Sequence, residues 1–309
     1  MHHLSIDLET FSSVPIAKAG AQKYISSPDF EILLFAYSLD GAPVEVIDLT
    51  TGAHLSPWLV QAITSPEFIK HAYNASFEWG CLSKFLGWLP PDQWRCTMFH
   101  GLYCGYTAGL DATGRALGLP EDKRKLNTGK ALIRYFCTPC APSKANGGRT
   151  RNLPQHDPAK WELFKEYNRQ DVVTEMEIDR RLASYPVPDW VQKQWETDLI
   201  INARGVAVDM EMVTGALYLG ATVRQDLMTE AMQLSGLNNP NSVAQLTTWL
   251  QEETGEELGD LRKDTVTRLL KQDGNSPQVT RMLEIRQELG KTSTKKYNAL
   301  EAGTGADGR

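Results

Sequence analysis

The feature that most constrains this chain lies in its first ten residues. Leu4, Ile6 and Leu8 alternate with Ser5, Asp7 and Glu9, a period of two that marks a half-buried β-strand. Successive side chains of a strand leave opposite faces, so the aliphatic residues turn to a core and Asp7 and Glu9 leave together on the other face. Two carboxylates projecting side by side from a strand need something to neutralise them. Mg²⁺ or Mn²⁺ suits that role, since hard divalent cations prefer oxygen ligands. An exposed polar strand face would show the same pattern.

The following residues read as alternating strands and helices. Glu31–Leu39 is a second strand, and Asp40-Gly41 is a hairpin signal leading to a third over Pro43–Leu49. A helix near Ser56–Thr64, an apolar strand near Phe68–Tyr73 and a helix over about Ser76–Leu86 come next. After further helices and a loop at Pro139–Pro154, one long helix is expected from Pro158 to about Ala183. The Tyr185-Pro186-Val187-Pro188 stretch then predicts a domain boundary. Two domains result, 1–186 and 187–309, the second nearly all helical. There Asp209 precedes one helix, Ser242-Val243-Ala244-Gln245 reads as a capping box, and Pro277 takes the first position of another helix.

Bulk properties exclude several classes. No apolar run approaches the roughly 18 residues that span a bilayer, and the N-terminus lacks a signal-peptide layout. Five cysteines make a sparse, odd set suited to a reducing cytosol. The net charge of −6 conceals a local asymmetry. Residues 123–151 carry eight basic side chains and no acid, leaving −14 on the rest. Lys123, Lys125, Lys130, Arg149 and Arg151 in that tract are candidates for phosphate contacts, although a solvated loop would look the same. Cys137-Thr138-Pro139-Cys140 has the spacing of a redox or half-zinc motif, but no second ligand pair accompanies it, and it is assigned no role.

Two later segments add acids. Asn74-Ala75-Ser76-Phe77-Glu78 falls where a strand gives way to a helix, and Tyr167-Asn168-Arg169-Gln170-Asp171 lies on the long helix, where i,i+4 spacing puts phenol and carboxylate on one face. Singly, a capping glutamate and a core tyrosine with a surface aspartate are the commoner explanations of such segments.

In this order and at these separations, the three segments resemble the three exonuclease motifs of the DEDD superfamily, with Tyr-x3-Asp marking its DEDDy branch. Around them, Cys96-Thr97-Met98 through Leu119-Pro120, Leu132–Phe136, and Asn146-Gly147-Gly148-Arg149-Thr150-Arg151-Asn152-Leu153-Pro154 look like the N-terminal part of phage and prophage family A DNA polymerases. Ile201–Asp209 resembles the segment that opens the polymerase domain. Asn239–Ser242 with Gln245-Leu246, and Leu283–Leu289 with Lys291-Thr292-Ser293, resemble its thumb.

The resemblance implies an α/β fold, a ribonuclease-H-like mixed sheet flanked by helices, followed by a mainly helical thumb-like region. It implies a proofreading-type 3′→5′ exonuclease acting on the single-stranded 3′ end of DNA in a bacterial host cytosol, in company with the rest of a polymerase or replisome. It further implies two divalent ions, Mg²⁺ or Mn²⁺. Asp7 would touch both, Glu9 and Asp171 would complete one, and Glu78 would hold the other, with Tyr167 orienting the attacking water. Glu78 departs from the usual Asp of the second motif. Thr10 and Asn74 are carried over as neighbours of the terminal nucleotide, and Arg262, Lys263, Lys295 and Lys296 as backbone contacts. Palm and fingers would lie beyond Arg309, so that polymerisation is not expected of this chain alone. Two alternatives remain open at this level: an RNA 3′-exonuclease resembling ribonuclease D, and a degenerate exonuclease fold that only binds DNA or a replication partner.

Overall fold

In the computed structural model, which describes residues 1–126 and 129–309, residues Met1–Val206 form one compact unit and Ala207–Gly308 a second. The first is built on a five-stranded mixed sheet of order β3-β2-β1-β4-β5. Strand β1 (His2–Phe11) runs antiparallel to β2 (Glu31–Leu39), and β2 antiparallel to β3 (Glu45–Asp48). On its other side β1 pairs parallel with β4 (Phe68–Ala72), which pairs parallel with β5 (Trp94–Cys96). This is a ribonuclease-H-like arrangement, as the resemblance implies.

The sharp turn after β2 follows from its residues. Asp40 and Gly41 both have positive φ, at 48° and 78°, and the Ala42 amide closes the turn on the Leu39 carbonyl at 2.8 Å. Asp and Gly are among the residues that tolerate such a conformation in succession. A register shift at Glu9/Thr10 opposes Glu9 to Leu34 and Thr10 to Ile32, leaving Leu33 as an extra residue on β2. That bulge is why the consecutive Leu33 and Leu34 both join one apolar cluster.

Helices cover both faces. Helices α1 (Ile16–Ser26), α2 (Pro57–Thr64) and α3 (Ala75–Leu86) enclose Leu4, Ile6, Leu8, Trp79 and Trp94 in the main core. Three shorter helices follow: α4 (Thr97–Tyr103), α5 (Leu110–Ala116) and α6 (Gly129–Phe136). The 25-residue helix α7 (Pro158–Leu182) packs across β1 and β2 on the opposite face. Its start is fixed by Asp157, which accepts from the Lys160 amide at 3.1 Å, and by Pro158 at the first position, where a missing N–H costs nothing.

The Pro-rich stop does not end the first unit. Helix α8 (Asp189–Arg204) follows it and inserts Trp195 and Leu199 into the main core beside Leu89 and Trp94. Gln192 also donates to the Trp94 carbonyl at 3.1 Å. The boundary expected at 186/187 thus falls inside the first compact unit, because an amphipathic helix after a proline turn can pack backward as readily as forward. Trp195→Ala is expected to destabilise this unit by about 3–5 kcal/mol, read as a lower urea midpoint; an unchanged midpoint would return α8 to the second unit.

The second unit is helical. It comprises α9 (Met210–Ser235), α10 (Val243–Thr254), α11 (Lys263–Leu270), α12 (Pro277–Leu289) and α13 (Lys295–Gly303). Its own core gathers Ala231, Leu246, Leu250, Leu269, Met282 and Leu283. Asp209 and Ser276 cap α9 and α12 by accepting from Met212 and Val279 amides. The expected capping box at Ser242 does not form, since the Gln245 side chain accepts instead from the Asn239 amide at 3.2 Å. Arg262 and Lys263 line a cavity of about 820 Å³ with Arg286 and Lys291, while Lys295 and Lys296 are exposed on α13. No helix among the described residues is long and apolar enough to cross a membrane.

Candidate functional site

The long helix α7 carries three zones along one buried face. Trp161 and Phe164 are aromatic, Ile178 and Leu182 aliphatic, and between them lie Tyr167, Asn168, Asp171 and Glu175. The spacing of three and four residues sets this polar zone against the acidic face of β1. Asp7, Glu9 and Asp171 there bring carboxylate oxygens within 4.8 Å of one another. Glu9 and Asp171 are buried, Asp7 partly so. Glu78, in the first turn of α3, is also buried but stands outside this group, near enough to Asp7 to feel its charge.

The acids strain against their surroundings. Burial, then repulsion from Asp171, pushes the Asp7 carboxyl up to about 8. Burial and Asp7 raise Glu9 and Glu78 well above the usual carboxylate range, and burial raises Asp171. Partners are few. Asn168, fully buried, donates through Nδ2 to Asp7 Oδ2 at 2.7 Å and to the Asp7 carbonyl at 3.3 Å. The Cys137 thiol donates to Glu9 Oε2 at 3.8 Å. Lys125 pairs with Asp171. Glu78 Oε2 and Asp171 Oδ1 are buried without any partner, a costly condition for a carboxylate oxygen. Converging hard oxygen donors with unsatisfied lone pairs fit a divalent cation of the Mg²⁺ or Mn²⁺ kind.

Tyr167 stacks on Phe164 with ring centroids 6.1 Å apart, one helical turn ahead of Asp171. Burial and the neighbouring acids hold its phenol far above the ordinary range, so it stays protonated. A Cβ on Gly129, at the start of α6, would overlap the Tyr167 ring; the ring lies where only a glycine leaves room.

Sequence reasoning missed two neighbours. Glu175 sits one turn beyond Asp171, buried, accepting from Thr97 Oγ1 at 2.5 Å with its other oxygen unpartnered. Burial and Asp179 push it up to about 8. The signal available was its i+4 spacing from Asp171, which continues the stripe that Tyr167 and Asp171 begin. Asn168 lies inside the third motif, directly after Tyr167, and nothing in the residue pattern marks it as the partner of Asp7.

The residues expected to meet nucleic acid are scattered. Thr10 is buried and bonded to the Tyr24 hydroxyl at 2.8 Å, whereas Asn74 is exposed. Lys123 lines a cavity of about 610 Å³ with His3, His71, Asp179 and Arg180. Lys130 is exposed beside Arg134. Arg149 donates to Asn152 Oδ1 and the Asn146 carbonyl. Arg151 bonds Glu31 at 2.6 Å and lies 3.6 Å from the Phe11 ring centroid. The last two guanidinium groups are therefore already engaged, Arg149 within its own loop and Arg151 in holding that loop to the sheet.

Fold and site define a two-unit protein: a ribonuclease-H-like α/β unit bearing a buried acidic cluster, and a helical unit. In sequence the chain is a relative of a phage DNA polymerase, that of Bacillus phage SP02, with which it is 47% identical over 310 residues. The match takes in all of this chain and 47% of the phage protein, so the chain spans about half the length of its relative. No protein-family model matches. Among solved structures, the POL domain of Pol1 from M. smegmatis, in complex with DNA primer-template and dNTP, aligns with the whole chain and 47% of its own. The TM-score is 0.55 at 15% identity, a likeness of fold alone. A nuclease in its apo form covers 64% of the chain and 79% of its own at a TM-score of 0.35 and 15% identity, too little to carry weight.

Proposed function

We propose that the first unit is a metal-dependent 3′→5′ exonuclease of the proofreading type, hydrolysing the terminal phosphodiester of a DNA strand within a family A polymerase. The observation that supports this reading best is the convergence of Asp7, Glu9 and Asp171 with carboxylate oxygens left unsatisfied in a buried place. Asp7, Glu9 and Asp171 would hold one Mg²⁺ or Mn²⁺, and Asp7 with Glu78 a second. Bound there, the ions supply Lewis-acid activation and neutralise charge on the scissile phosphate. Asn168 keeps Asp7 in place through its Nδ2 bond. Tyr167, protonated and fixed between Phe164 and Gly129, orients the attacking water rather than removing its proton. Thr10 and Asn74 lie near the bound terminus, while Lys123 and Lys130 meet backbone phosphates in a manner blind to sequence. DNA is favoured over RNA as substrate by the sequence relationship to a DNA polymerase.

A 3′-labelled single-stranded DNA incubated with Mg²⁺ or Mn²⁺ is expected to release mononucleotides, with none in EDTA or with Asp7→Ala protein. An RNA strand of the same sequence is expected to be cut more slowly. Folded protein that binds the strand but releases nothing with either ion would leave a binding module instead.

A further inference from the structure

Lys125 enters the acidic cluster from the loop that follows the turn Glu121–Lys123. Its ammonium pairs with Asp171 Oδ2 and stands 4.7 Å from the centroid of the Tyr167 ring. The loop is pinned just ahead of Lys125: Arg124 donates to the Leu119 carbonyl at 2.7 Å, and Gln170 of α7 donates to the Asp122 carbonyl at 2.9 Å. The pair itself is lopsided. The Lys125 side chain is 27% exposed and that of Asp171 6%, so the cation has a way out to solvent and the carboxylate has none. Asp171 Oδ1 meanwhile has no partner. A lysine ammonium is a hydrated point charge on a flexible stem, able to leave a pocket that a rigidly forked guanidinium would clamp. An ammonium and a divalent cation on the same carboxylate would repel each other strongly in so dry a place.

We propose that Lys125 is a tethered counter-ion: it holds Asp171 while the acids lack a metal, is displaced when a divalent cation takes that carboxylate, and is then free to meet a substrate phosphate. This rests on Asp7, Glu9 and Asp171 being metal ligands, and it assigns Lys125 a positioning role toward the metal beyond a phosphate contact. Metal and DNA should therefore help each other, because the strand offers the displaced ammonium a new partner and such coupling is reciprocal.

The test is Mn²⁺ binding to the full chain, followed by the resonance of free Mn²⁺ at low ionic strength. Lys125→Gln is expected to bind Mn²⁺ about five- to tenfold tighter than the parent, the scale of one partly exposed ion pair, and Lys125→Arg no tighter than the parent. A measurement on the unaltered protein stands beside it: Mn²⁺ should speed amide hydrogen exchange over Arg124–Leu126 as the anchor is released. Lys125→Gln binding Mn²⁺ no tighter than the parent, or exchange over that segment unchanged by Mn²⁺, overturns the proposal while leaving the metal ligands standing. Absence of Mn²⁺ binding in parent and variant alike overturns both.

Discussion

Glu9→Gln protein is expected to unfold at a higher temperature than the parent in EDTA, and to lose nuclease activity. Both effects have one cause. Glu9 is buried beside Asp7 and Asp171, and its nearest donor is a weak thiol. Glutamine keeps the shape, removes a charge and offers two N–H donors to the neighbouring carboxylates. Removing a like charge from a buried cluster gains on the order of 1–3 kcal/mol, and for a chain this long each kcal/mol raises the melting temperature by about 2–4 °C. The same change removes a metal ligand. Altering groups that merely orient ligands costs about 10–100-fold, so losing a ligand is expected to cost more than about 100-fold. Calorimetry in EDTA with a parallel digestion assay decides it. A variant that melts lower and digests DNA at the parental rate would mean that Glu9 is an ordinary strand residue.

Without divalent ions, the protein is expected to lose stability steadily as pH rises from about 6.5 to 8. Glu175 and Asp7 both stand near 8 in the fold, against ordinary values of 4.5 and 3.8. Below the ordinary values both are protonated folded or unfolded, and nothing is lost. Above them the unfolded chain releases protons that the fold retains, so stability drains away until pH passes the folded values. The window begins at 6.5 because His71, held by burial near 4, works in the opposite sense below its ordinary value. Glu175 alone accounts for something on the order of 2–4 kcal/mol across its whole range. Glu175→Gln should flatten the decline, and Mg²⁺ should offset it by binding only the folded, ionised cluster. Urea midpoints at several pH values in EDTA test this; a parental midpoint that holds or climbs between 6.5 and 8 would show these acids to be solvated.

Much of the site was legible because its parts are locally coded. Asp7 and Glu9 share a face by the geometry of any strand, and Tyr167 and Asp171 by that of any helix. Lys125 was read as one of a run of basic residues, and nothing in the run marks it as the one turned inward. Arg149 and Arg151, equal to it in sequence, spend their charge on Asn152, Asn146 and Glu31. Glu175 resembled a surface glutamate until Thr97 and the sheet closed over it. The proline turn read as a boundary is a turn, but Trp195 beyond it belongs to the first core.

The sequence by itself determined four of the sheet's five strands, the long helix, the hairpin turn at Asp40-Gly41 and the chemical types of the acids, because periods of two and of 3.6 and the tolerance of positive φ act over a few residues; the three-residue strand Trp94–Cys96 is too short to show a period. Only the tertiary structure decided which acids meet, which lysine joins them, where the first unit ends and which carboxylates stay protonated. Those outcomes depend on burial and on distances between segments from some 46 to more than 160 residues apart, where desolvation and Coulomb repulsion act through space.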